Sequence, residues 1–274
     1  MSMLKLRVGL LGLLAMLLLG AFAAAPALAE GGPWWHHREV GGKDEGKITE
    51  QKPEKITGEG EEQILNGKLL GEPIEISAKG LSVTGEIYNN EDQAQAKLHL
   101  TYKEPKLIKP KIEHCKVTIG ENNTVPVYFH QGWTWNGTVG QLEVKPQKAE
   151  QKRDWIALPV DLKQQLPVKN HEVELPKEEF TKITLSSEGG TCLLASKDPV
   201  DGSVAVEAVS PVGLEAWSTT EEDKIIGSNT EQHFWNGKEW VGVKIGLTFA
   251  GAEATLNGKA KLKTAKQEVA LFES

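Results

Sequence analysis

The sequence predicts an all-β fold, either an antiparallel β-sandwich or two abutting antiparallel sheets, preceded by a signal peptide and a disordered tail. The first observation is alternation of apolar and polar residues with a period of two. It is clearest at Ala94, Ala96, Leu98, Leu100 and Tyr102. The second is a set of Asn-Gly dipeptides at 66–67, 136–137, 236–237 and 257–258, which suit type I′ hairpin turns. The third is weak helical periodicity beyond residue 30.

The first 29 residues predict a signal peptide. Lys5 and Arg7 give a positively charged start, an apolar run covers 8–19, and Ala27-Leu28-Ala29 matches the A-x-A pattern of a cleavage site. An uncleaved anchor is the alternative, because the apolar run approaches the ~18 residues that can span a membrane. The small residues and Pro26 favour cleavage. We therefore expect a secreted or extracytoplasmic protein without stable membrane insertion.

The charge balance argues against nucleic acid as a partner. Loss of Lys5 and Arg7 with the leader moves the formal net charge from −7 to −9. A protein that neutralises phosphates needs clustered Lys and Arg, and arginine occurs here only at positions 7, 38 and 153. The motifs typical of nucleotide-binding and zinc-protease sites are absent from the sequence. We expect no cofactor and no metal.

Residues 30–62 are rich in Gly, Glu and Lys and predict a flexible polar tail, since such a composition buries too little surface to offset the entropy of ordering. Within it, the run 34–37 (Trp-Trp-His-His) could suggest a metal site. Two adjacent histidines without a third ligand make a poor site, so a solvated tail is the favoured interpretation. Residues 63–274 then form the folded part, one sandwich-like domain or two subdomains.

Cys115 and Cys192 lie in the portion expected to be exported, where thiols oxidise. One intrachain disulfide is the default expectation, and two free buried cysteines are the alternative. The bond would close a long loop and stabilise the fold by ~4 kcal/mol.

Aromatic residues near two Asn-Gly dipeptides are the strongest candidates for a binding site. If 236–237 is a two-residue turn, His233, Trp235, Lys238 and Trp240 share one face of a hairpin, opposite its apolar face. Exposed indole rings on a sheet can stack on sugars. Burial under a second sheet is the alternative. Trp133 and Trp135 fall on a core face with Phe129 by the same reasoning.

A stretch of about fifty residues resembles a family. It runs from Pro73-Ile74-Glu75-Ile76 through the strand at 81–87 and the alternating strand after it to His114-Cys115-Lys116-Val117-Thr118. This pattern is similar to one in uncharacterised exported β-rich proteins of soil actinobacteria. The resemblance implies secretion and β-structure, and it implies no activity.

These observations favour an exported non-catalytic protein that binds glycan or another cell-envelope component through the aromatic face. One alternative is a secreted hydrolase that cleaves polysaccharide with a carboxylate pair, drawn from residues such as Glu172, Glu174, Glu207 and Glu215. Each of these is more simply the outward residue of a strand, and no catalytic residue is assigned. A purely structural surface protein is the third hypothesis.

Overall fold

The computed structural model describes residues 34–90, 93–135, 151–158, 168–169, 172–173, 179–210, 217–227, 230–235 and 240–272. Only the backbone is described at residue 93 and at 131–135, 151–158, 168–169, 172–173, 207–210, 226–227, 230–235 and 240–241. The predicted signal peptide at 1–29 lies outside the described residues.

Strands account for the regular structure of these ranges. They are β1 (Trp34–Glu39), β2 (Gly46–Lys47), β3 (Glu54–Gly60), β4 (Gln63–Leu69), β5 (Glu72–Asn90), β6 (Gln93–Lys109), β7 (Cys115–Ile119), β8 (Thr124–Trp135), β9 (Gln151–Leu158), β10 (Val168–Lys169), β11 (Glu172–Val173), β12 (Glu179–Ser187), β13 (Ser196–Gly202), β14 (Val204–Ser210), β15 (Thr220–Gly227), β16 (Thr230–Trp235), β17 (Trp240–Ile245), β18 (Leu247–Phe249), β19 (Ala252–Thr264) and β20 (Gln267–Phe272). The predicted all-β, antiparallel fold is confirmed. Within the described ranges, no helix has the length and apolar character needed to cross a membrane.

Eight of these strands pair into a closed cycle, here called the strand ring. The pairing runs β3–β5–β6–β8–β9–β14–β15–β19 and returns to β3, with every neighbour antiparallel. As in the predicted sandwich, the inner faces of opposing strands meet across a core. Unlike in a sandwich, the strands are also hydrogen-bonded to one another all the way round. Closure leaves no ring strand with a free edge in this region.

The alternation predicted for residues 94–102 explains why this segment forms part of the wall. Ala94, Ala96, Leu98, Leu100 and Tyr102 are buried, while His99 between them is exposed. The same period of two holds in β5, where Leu81, Val83 and Ile87 are buried. Burial of one face of each strand is the main stabilising term of such a fold.

Below the ring, the long strands β5 and β19 continue into a second layer that contains β4, β18, β13, β12 and β7. The side chains of Leu247 and Phe249 at its centre are fully buried. Cys115 and Cys192 form a disulfide here, with a Cα–Cα distance of 4.8 Å. The expected pairing of the two cysteines is thus confirmed.

A small sheet, here called the cap sheet, consists of β2, β1 and β20 in that order. The prediction of a flexible tail over 30–62 is wrong for its described part, because residues 34–39, 46–47 and 54–60 are strands. Residues 30–33 lie outside the described residues. Trp35 is only 1% exposed. The polar composition was misleading because β1 obtains its hydrogen bonds from β20, at the far end of the sequence.

Two of the Asn-Gly dipeptides lie inside strands and make no turn. Gly67 pairs with Ile74 in the β4–β5 ladder, and Asn257 and Gly258 pair across β19 and β15. The hairpin turns that these two dipeptides suggested are therefore not formed. The hairpin turns use residues with positive φ at Leu70-Gly71, Asn122-Asn123 and Ala250-Gly251. The dipeptides at 136–137 and 236–237 lie outside the described residues.

Candidate functional site

The interior of the strand ring encloses a cavity of about 70 Å³. By the same kind of measure one water needs roughly 10–15 Å³, so the space exceeds that of a single water. Every ring strand whose side chains are described supplies a lining residue, and β1, β12 and β20 add one each. The lining includes Ile56 of β3, Val83 of β5, Leu98 of β6, Phe129 of β8, Val206 of β14, Ile225 of β15 and Ala260 of β19, with Trp35, Phe180 and Val269 from outside the ring.

Aliphatic and aromatic carbons make up nearly all of this wall. A cavity with such a lining gives water few hydrogen-bond partners and tends to stay dry or to hold an apolar guest. Tyr102 lies at the lower part of the wall, and burial raises the pKa of its hydroxyl to about 12. The phenol is therefore neutral at any physiological pH.

Two buried carboxylates belong to this wall, and both are on β15. Glu221 and Asp223 line the cavity at 7% and 4% exposure, two residues apart on the face that also carries Ile225. In the ladder with β19 they lie opposite Leu262 and Ala260. Neither carboxylate is without a partner. Because a buried charge in an apolar surrounding is costly, their presence on this wall needs an explanation beyond packing.

The cap sheet covers one end of the cavity. Trp35 and Val269 line it there, together with Thr219 and Thr264. Asn89, the penultimate residue of β5, fixes β1 on the ring: it accepts a hydrogen bond from the Trp35 N–H at 2.7 Å and donates from Nδ2 to the carbonyls of Trp35 and Ile48, both at 2.7 Å. Asn89 therefore positions the Trp35 side chain over the cavity by binding the backbone of Trp35.

Gln63 lies at the start of β4, between the ring and the second layer, and is 2% exposed. Its Nε2 donates to the carbonyls of Glu61 and Lys259, at 2.9 and 3.1 Å. The amide occupies the space beside Gly258, where a Cβ atom would lie 1.8 Å from Gln63 Oε1. This glycine is required by the close approach of a side chain, not by a turn.

The predicted aromatic site is described in its backbone only. Trp235 pairs with Trp240 across β16 and β17. The predicted two-residue turn at 236–237 lies outside the described residues. Lys238 lies outside the described residues. On its other side, Trp235 pairs with Trp133 of β8, and His233 pairs with Trp135.

The register places these positions on one face of the sheet. Directly paired residues share a face, so Trp133, Trp235 and Trp240 form a row across three strands. By strand alternation Trp133 is on the same face of β8 as Phe129, which lines the cavity. The prediction had placed Trp235 and Trp240 opposite the apolar face of their hairpin, and Trp133 on a core face. The register instead places all three positions on one face of the sheet.

The tail motif at 34–37 is also placed differently from the prediction. Trp34 and Trp35 are buried, and Lys47 Nζ lies 3.9 Å from the Trp34 ring centroid. His36 Nδ1 is 2.9 Å from Asp44 Oδ2. Among the described residues, no group of three or more His, Cys, Asp or Glu side chains is arranged to hold a metal ion.

The carboxylates of the hydrolase hypothesis are not brought together as a described pair. Glu172 pairs with Gly242 and Glu207 with Lys224, on different strands, with only their backbone described. Glu174 and Glu215 lie outside the described residues. The hypothesis stays a prediction.

Glu221 and Asp223 were missed at the sequence level. Their signal was the alternation Glu221-x-Asp223-x-Ile225, in which two acids take positions that a strand normally gives to apolar residues. Comparison with family models, curated proteins and solved structures gives no match for this chain.

Proposed function

We propose that this chain is an exported, non-catalytic binding protein that holds a small molecule with an apolar body inside the strand ring. The observation that supports this best is the apolar cavity with two carboxylates on its wall, Glu221 and Asp223. Binding pockets are typically apolar with a few converging polar groups, which is the arrangement here. Cys115–Cys192 supports export, because disulfides persist in oxidising compartments.

The chemistry of the wall indicates which guest fits. Aliphatic and aromatic side chains favour a hydrocarbon chain or ring. Carboxylates accept hydrogen bonds, and charge-assisted bonds to an ammonium group are the stronger ones. A guest with an amine should therefore bind better than one with a hydroxyl, and a guest with a carboxylate should bind worst.

Fluorescence titration tests the binding. Purified protein is titrated with N-phenyl-1-naphthylamine, a neutral apolar dye, and the dye is then displaced with octylamine, octanol and octanoate. We expect saturable binding and displacement in that order of strength. Absence of binding, or non-saturable uptake, would refute the proposal.

Two variants locate the dye. Ala96 faces the cavity opposite Ile87 and Phe129, so Ala96→Phe should fill the space and raise the Kd at least tenfold, about 1.4 kcal/mol. Thr84→Phe, at an exposed position of β5, is the control and should leave the Kd unchanged. Equal Kd values in the two variants would place the dye elsewhere.

The Glu221→Gln variant tests whether the carboxylate causes the preference for an amine. Glu221→Gln keeps the shape of the side chain and removes its charge, so dye binding should persist while octylamine loses its advantage over octanol. An unchanged order of displacement would show that the carboxylate does not contact the guest.

Glycan binding through the aromatic positions is the second candidate. The register aligns Trp133, Trp235 and Trp240 across three strands, beyond the residues of β8 that pair with β6. Aromatic rings in a row can stack on successive sugar units of a cell-envelope polymer. Glycan-array binding that is lost in both Trp235→Ala and Trp240→Ala would support this candidate. Retained binding in both would exclude it.

A further inference from the structure

The ring wall offers a guest no lateral route into the cavity. Each ring strand is hydrogen-bonded to a neighbour on both sides, so passage through the wall would break a ladder. Access must therefore be through an end of the ring. The lower end adjoins the second layer, where Leu247 and Phe249 are fully buried and the Cys115–Cys192 bond joins two segments.

The cap sheet covers the upper end. The cap sheet meets the ring through the Asn89 amide, the paired backbone hydrogen bonds of Ser218 and Val269 at 2.8 and 3.1 Å, and the chain connection from β19 to β20. Trp35 and Val269 are its contributions to the cavity lining. Within the cap sheet, β1 is joined to β20 by a short ladder that includes Arg38 opposite Glu268.

We propose that β1 is a displaceable cover: a guest enters and leaves the ring when β1 separates from β20 and Asn89, carrying Trp35 away from the cavity, while the strand ring stays closed. This inference rests on the proposed function for its guest. Opening requires loss of a local set of hydrogen bonds, which is the kind of sub-global event that native proteins undergo below the free energy of global unfolding.

A pair of engineered disulfides tests the route. Arg38 and Glu268 are directly opposite in the β1–β20 ladder, with Nε and Oε2 2.7 Å apart, so the double variant R38C/E268C can lock β1 to β20. Thr101 and Thr124 are directly opposite in the β6–β8 ladder, with their hydroxyls 3.0 Å apart, so T101C/T124C locks the ring as a matched control. The native Cys115–Cys192 bond is verified by peptide mass mapping in every sample.

Stopped-flow dissociation of N-phenyl-1-naphthylamine is measured for each variant, oxidised and reduced. We expect the oxidised R38C/E268C variant to release the dye at least tenfold more slowly than its reduced form, and T101C/T124C to show no difference. The proposal would be overturned if the oxidised R38C/E268C variant released the dye as fast as its reduced form. It would also be overturned if the oxidised T101C/T124C variant released the dye more slowly than its reduced form.

Hydrogen–deuterium exchange of the wild-type protein, without any guest, provides a second readout. The Val269 N–H donates to Ser218, so by strand alternation the N–H groups of Glu268 and Ala270 point to β1. The amides of Glu268 and Ala270 should therefore exchange at least tenfold faster than those of Val83 and Leu98 in the ring, because β1 opens locally. Equal protection of the two sets would refute the displaceable cover. If no dye binds but the exchange rates differ as expected, the proposed function fails and the opening of β1 stands.

Discussion

Asn89 binds the backbone of Trp35 on both sides of the residue: its Oδ1 accepts from the Trp35 N–H, and its Nδ2 donates to the Trp35 carbonyl, each at 2.7 Å. A ring strand thereby holds a segment that belongs to another sheet. The same Nδ2 donates to the Ile48 carbonyl, so one side chain fixes two points of the covering segment.

Replacement of Asn89 by alanine should destabilise the protein. Three hydrogen bonds are lost, each worth about 0.5–1.5 kcal/mol, while the carbonyls of Trp35 and Ile48 keep the backbone N–H groups of Ile48 and Asn89 as partners. We expect the free energy of unfolding in urea to fall by about 2–4 kcal/mol. Asn257→Ala, at an exposed position of β19, is the control and should change it by less than about 0.5 kcal/mol. Equal effects would contradict the assigned role of Asn89.

The disulfide should contribute substantially to stability. Cys115 and Cys192 are 77 residues apart, and in the chain-entropy model a loop of this length corresponds to about 4 kcal/mol. The double variant C115A/C192A should lower the free energy of unfolding by about that amount. Urea denaturation of the wild type with and without reductant is the matched comparison. A difference under about 1 kcal/mol would show that the bond does not constrain the unfolded chain as expected.

His130 should make the fold sensitive to acid. It is 1% exposed, and burial lowers the pKa of its imidazole to about 4 from an ordinary value near 6.5. Above pH 6.5 the ring is neutral in both states and the stability is complete. As the pH falls from 6.5 to 4, the unfolded chain takes up a proton that the folded chain does not, and about 3 kcal/mol is lost.

The surroundings of His130 support this assignment. Gln95 lies opposite it on β6, and Tyr88 lies opposite Gln95 on β5; burial raises the pKa of Tyr88 to about 12, so this phenol carries no charge in the acid range. His130→Gln should flatten the dependence of unfolding free energy on pH between 6.5 and 4. His99→Gln, at an exposed position, should keep the wild-type profile. An unaltered slope in His130→Gln would contradict the prediction.

Much of the wall could be predicted because its signal is local. Leu98 and Leu100 alternate with exposed or half-buried polar residues, and a period of two requires no knowledge of the partner strand. Ring closure is different, because it depends on β14 meeting β9, and nothing in either segment specifies that contact. Trp35 was misjudged for the same reason: its burial depends on β20 and on Asn89, which are remote in sequence.

The glycines show how a local signal can mislead. Asn-Gly favours a hairpin turn through positive φ, yet Gly67 and Gly258 lie within strands and lack a side chain for reasons of space. A Cβ on Gly67 would lie 3.3 Å from the Phe249 Cβ. Leu70, with a φ of 54°, occupies a turn that propensity alone would not assign to leucine.

The coupling between Gln63 and Gly258 can be measured directly. Gly258→Ala places a Cβ 1.8 Å from Gln63 Oε1 and must displace an amide that donates to the carbonyls of Glu61 and Lys259, so a loss of about 3 kcal/mol is expected. Gln63→Ala alone loses those two bonds and should cost about 1–2 kcal/mol. The double variant removes the clash, so its loss should be smaller than the sum of the single losses by at least about 1 kcal/mol. Urea denaturation of the four proteins in this cycle gives the coupling energy, and strict additivity would show that the two residues do not share the space assigned to them.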